Sequence, residues 1–146
     1  MKRDVRMALA ALVMLCIPGV SACHKKAQEC DKLIGVINDN GKAIKAASSK
    51  MTGSGDDAKS YDEVAKVLDA SADNMKKADL KDDKLKQFAQ EYQDMLHNGS
   101  QAARDVVKAQ SANDLAALTK ALGDIGKVET TEAALVAKVN GYCTAN

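Results

Sequence analysis

Residues 82–107 read DDKLKQFAQEYQDMLHNGSQAARDVV. Within them Leu85, Phe88, Tyr92, Met95, Gly99, Ala102 and Val106 recur every three or four residues, which places one apolar stripe on an otherwise polar helix. Asp82 and Asp83 stand at the head of the stretch, where unpaired N–H groups and the helix dipole favour negative charge. The spacing predicts a long helix starting near Asp82. Its one irregularity is Asn98-Gly99-Ser100, since glycine inside a helix costs about 1 kcal/mol against alanine.

An amphipathic helix of this kind must bury its stripe against others, and the flanking sequence offers three more. Upstream, Thr52-Gly53-Ser54-Gly55-Asp56-Asp57 is a loop by composition. Ser60 followed by Glu63 then resembles a capping box, and Tyr61, Val64, Leu68, Ser71, Met75 and Ala78 form the stripe of a second helix. Before the loop, Cys30, Leu33, Ile34, Ile37, Gly41, Ile44 and Ala47 mark a first helix ending near Lys50. Downstream, Ser111 with Asp114 reads as a further box opening a fourth helix, whose stripe is Leu115, Leu118, Leu122, Ile125, Val128, Leu135, Val139 and Tyr142. Short connections make sequential helices antiparallel. The expected fold is all-α: an up-down-up-down four-helix bundle spanning residues 30–146. The third and fourth helices are longer than the second by on the order of 15 Å, so either their ends overhang or the third kinks at Gly99.

The N-terminus has a different character. Lys2, Arg3 and Arg6 precede an apolar run from Met7 to Ile17, stopped by Pro18-Gly19. That is the layout of a secretory signal, and the run is too short for a span that needs about 20 apolar residues. Val20-Ser21-Ala22-Cys23 follows. This order resembles the lipobox of bacterial lipoprotein precursors. The resemblance implies cleavage before Cys23, a diacylglyceryl thioether on its sulfur, and a tether over 23–29 after a signal peptide over 1–22. It also implies a place in the cell envelope, and His24, which is not the aspartate that retains enteric lipoproteins at the inner membrane, points to the outer membrane, facing the periplasm.

Loss of residues 1–22 removes three basic residues and one acid from 21 and 20, leaving 18 against 19 and a net charge of −1. Such a balance implies no nucleic-acid partner. The only aromatics are Tyr61, Phe88, Tyr92 and Tyr142, too few to build stacking platforms for bases. Of four cysteines, Cys16 leaves with the signal and Cys23 takes the lipid, so Cys30 and Cys143 remain to pair in an oxidising compartment. They open the first helix and close the fourth, which an up-down-up-down order places at the same end.

Reactive side chains are scarce. His24 and His97 are the only histidines, leaving no material for a Ser-His-Asp set. Asp94 and His97 stand at i and i+3, as in the ligand pairs of di-iron bundles, but the second pair such sites require is missing. In size and helix layout the chain is similar to haem-binding bundles of the cytochrome b562 type, which implies a methionine ligand early in the first helix and a histidine late in the fourth. The fourth helix here has no histidine, and Met51, Met75 and Met95 read as core filler. No catalytic residue, metal site or cofactor is therefore expected. Gly35, Gly41, Gly99, Gly123 and Gly126 lie on or near inner stripes, and either let helices approach closely or leave a pocket for a small apolar ligand. The sequence points to a non-enzymatic envelope lipoprotein, held to the membrane by Cys23 and serving an envelope protein partner, with binding of a small apolar ligand or haem as the alternative.

Overall fold

A computed structural model describes the backbone of residues 20–52 and 57–145 and the side chains of 24–50 and 58–145. Four helices follow in order: α1 (Val20–Ser48), α2 (Asp57–Met75), α3 (Asp83–Ser111) and α4 (Leu115–Thr144), with a short 3-10 turn at Ser49–Thr52. They form the expected four-helix bundle. α3 packs along both α2 and α4, α1 packs chiefly on α2, and α1 has only a slight contact with α4.

The core is made by the stripes. Leu33 and Ile37 of α1, Val64, Leu68, Ala72 and Met75 of α2, Leu85, Phe88, Tyr92, Met95 and Leu96 of α3, and Leu135 and Val139 of α4 are all buried. A buried leucine of this kind stabilises the fold by about 1.5–3 kcal/mol. Alanines 65, 72, 102, 103 and 109 are buried too, their small side chains letting helix axes come close. Gly99 has the same effect at one point. A Cβ there would stand 3.3 Å from Leu68 Cδ1 and 3.3 Å from Val128 Cγ1. α3 runs unbroken through Gly99, so the difference in helix length is not taken up by a kink there. Gly35, Gly41, Gly123 and Gly126 have open space where a Cβ would go and do not serve close packing.

Several boundaries differ from expectation. Residues 23–29, expected as a tether, are helical, because α1 starts at Val20; nothing between Pro18 and Cys30 except Gly19 strongly disfavours helix. α2 starts at Asp57, three residues before Ser60, so the Ser60 and Glu63 pair lies inside the helix; Glu63 instead approaches Lys50 at 3.9 Å. α2 ends at Met75, and Leu80 in the following link is buried. At the third connection Ser111 closes α3, Asn113 takes a left-handed φ of 54°, and Asp114 is the N-cap of α4, accepting from Ala117 N–H. An Asn in that backbone region is the usual non-glycine solution. α3 starts beside Asp82 as expected, and Asp82 is its N-cap: its carboxylate accepts from Leu85 N–H at 3.0 Å.

Cys30 and Cys143 form a disulfide with Cα atoms 5.8 Å apart. It joins the first and last helices and confirms that both cysteines stand at one end.

Candidate functional site

The disulfide end is densely tied. Glu29, one residue before Cys30, accepts hydrogen bonds from the backbone N–H groups of Lys81 and Asp82 at 2.8 and 2.7 Å, fastening the α2–α3 link to α1. Asp82 in turn accepts from the Tyr142 hydroxyl at 2.9 Å. The N–H of Leu85 holds the Asp82 carboxyl below its ordinary range, with the Tyr142 hydroxyl adding to it against the cost of burial. The same bond pushes the Tyr142 phenol up. Phe88 meets the Tyr142 ring edge-on, centroids 5.9 Å apart. Lys26 lies over that ring at 4.3 Å and donates to the carbonyl of Ala145, a cation placed at the negative end of α4. Cys23 lies outside the residues whose side chains are described.

The opposite half of the bundle is open. Leu115 and Leu122, expected on the inner stripe of α4, are 74% and 44% exposed; α4 packs mainly on α3 and only slightly on α1. Between the four helices here lies a cleft of about 330 Å³. Its walls include Ile44 of α1, Tyr61, Val64 and Leu68 of α2, Met95, Leu96 and Gly99 of α3, and Leu122, Ile125 and Val128 of α4. Glu129 and Glu132 also line it. The Tyr92 hydroxyl, in a fully buried side chain, donates to Glu132 at 3.0 Å; burial and then the adjacent carboxylate push its phenol far above the ordinary range. Among the described residues neither Glu129 nor Glu132 has an ion-pair partner.

Polar chemistry elsewhere is structural in form. Asp69 of α2 binds Arg104 and faces His97 Nδ1 at 3.6 Å, and Arg104 also donates to the buried Ser100. Burial works to raise the Asp69 carboxyl, but hydrogen bonds from Arg104 and Ser100 outweigh it and hold the pKa low. Asp69 thus bridges cation, hydroxyl and imidazole. Asp94, the expected neighbour of His97, is engaged by Gln90 at 2.9 Å. Among the described residues no group of three metal-ligating side chains occurs. Met95 lines the cleft, whereas His97 is half exposed on the α2–α3 face and is not part of the cleft wall.

Sequence reasoning missed Asn40, Glu29 and Glu132. Asn40 is buried and donates to the Ser71 carbonyl at 3.0 Å. Its place three residues after Ile37 on the apolar stripe was the available signal. No family model, curated protein or solved structure matches this chain. Among the described residues no helix is long and apolar enough to cross a membrane.

Proposed function

We propose that the chain is a cell-envelope lipoprotein, anchored by a lipid on Cys23, whose non-enzymatic helical bundle serves as a structural or protein-interaction module at the membrane surface. The observation that carries this reading is the ordered N-terminus: basic Lys2, Arg3 and Arg6, the apolar Met7–Ile17, then Val20-Ser21-Ala22-Cys23. The Cys30–Cys143 bond supports it, as disulfides persist in oxidising compartments. A bundle stapled where it leaves the membrane would hold its far end away from the lipid and toward partners. Metabolic labelling with radioactive palmitate in a Gram-negative host tests the anchor: the wild-type chain takes up label and the Cys23→Ser chain does not. Label in neither chain contradicts the anchor.

The cleft favours a second reading, in which the bundle binds a small apolar ligand. A volume of about 330 Å³ falls at the lower end of small-molecule sites, roughly 300–1,000 Å³. Haem is the weaker form of this reading, with no histidine on the cleft wall; protein purified from a haem-replete host is expected to lack a Soret band.

A further inference from the structure

An apolar cleft that also holds two acidic side chains selects among apolar molecules. Glu129 and Glu132 are one turn apart on α4 and both face the cleft. Glu132 is half-buried and fixed there by the buried Tyr92 hydroxyl. With one oxygen so engaged, the carboxylate retains further acceptor capacity, and no lysine, arginine or histidine among the described residues pairs with it or with Glu129. On the same helix the acidic Asp124 is matched by Lys120 and Lys127 at 2.8 Å each, whereas the two cleft carboxylates are not. Glu132 is half-buried beside apolar walls and Glu129 is exposed at the rim, so a ligand carrying an ammonium group would pair with them while covering the walls.

We propose that the cleft binds an apolar organic cation, its hydrocarbon body against Leu68, Met95, Ile125 and Val128 and its ammonium group at Glu132 and Glu129. This rests on the second reading above, that the cleft is a ligand site. An anion of the same shape meets like charge there, and a neutral alcohol meets acceptors without the charge.

The chain contains no tryptophan, so Leu122→Trp, at an exposed position of the cleft wall, supplies a reporter whose emission follows occupancy. The full-length variant is reconstituted in phosphatidylcholine vesicles and titrated with n-octylamine, n-octanol and n-octanoate at neutral pH. The expected result is a saturable emission shift with octylamine at a concentration about tenfold below that for octanol or octanoate, as charge-assisted hydrogen bonds allow. Adding Glu132→Gln, which keeps an acceptor for Tyr92, should bring octylamine and octanol within about twofold of each other. Glu129→Gln, at an exposed site, gives an independent reduction if Glu132→Gln lowers the helical signal. Concentrations are those of free ligand, corrected by the partition of each into protein-free vesicles of the same composition. Equal binding of amine and alcohol by the parent overturns the cation proposal and leaves the ligand reading standing. No saturable response to any of the three overturns both.

Discussion

Asp82 shows how much one side chain can carry. Its carboxylate caps α3 through Leu85 and receives the Tyr142 hydroxyl from α4, while its backbone N–H is held by Glu29 of α1. Asp82→Ala is expected to lower stability by about 1–2 kcal/mol, the range for a lost N-cap, read by urea denaturation at neutral pH. The pH dependence has a definite sign. The folded state depresses this carboxyl below 3.8, so its contribution is present above that value and lost as pH falls through the lower, folded pKa. The difference between wild type and Asp82→Asn in melting temperature should therefore narrow as pH is taken from 5 to about 2; a difference that widened would contradict the assignment. The place of Asp82 at the head of α3 was legible because the preference for negative charge at a helix start is local in sequence. Glu29 and Asn40 were not, since their partners lie on other elements at sequence separations of 52 and 31, and a polar residue in a helical pattern is assigned to solvent unless a neighbour is known.

At the scale of elements, α4 is the helix where pattern and structure part. The second half of its expected stripe is buried at Leu135 and Val139, whereas Leu115, Leu118, Leu122 and Ile125 of the first half are not, and Ala121 is buried there instead. Periodicity reports which face of a helix is apolar, not how far along the helix a neighbour reaches. α1 touches α4 only slightly and, among the described residues, α2 does not pack on it, leaving α3 as its main neighbour. Truncation should distinguish the two halves. Leu135→Ala, at 2% exposure, is expected to cost about 2–5 kcal/mol, whereas Leu115→Gln, at 74% exposure, should change stability by no more than about 0.5 kcal/mol. Chemical denaturation of both variants checks the contrast, and equal losses would mean that the first half of α4 is covered. The connection at Ala112-Asn113-Asp114 was misplaced by three residues because Ser111 and Asp114 are both acceptable caps, and the choice is made by the left-handed Asn113 between them.

The whole molecule is asymmetric: fastened where α1 and α4 meet, open where the cleft lies. The disulfide closes a separation of 113 residues, for which chain entropy gives a stabilisation of about 4–5 kcal/mol as an upper figure. Set against the roughly 5–15 kcal/mol typical of a domain, reduction should lower the melting temperature markedly while leaving helical circular dichroism largely intact in the cold; an unchanged melting temperature would contradict a stapling role. Helix number, order and the cysteine pair were legible because they follow from periodicity, short loops and residue count. The cleft was legible only as an alternative, since void space depends on how helices diverge. The claim on which the proposed function stands is the anchored N-terminus. Its most direct test is the intact mass of the full-length gene product expressed in a Gram-negative host and extracted from the envelope. The account predicts a chain starting at Cys23, without residues 1–22, bearing a diacylglyceryl group on that cysteine and a closed Cys30–Cys143 bond. A mature chain starting at any other residue, or Cys23 free of lipid, would contradict it.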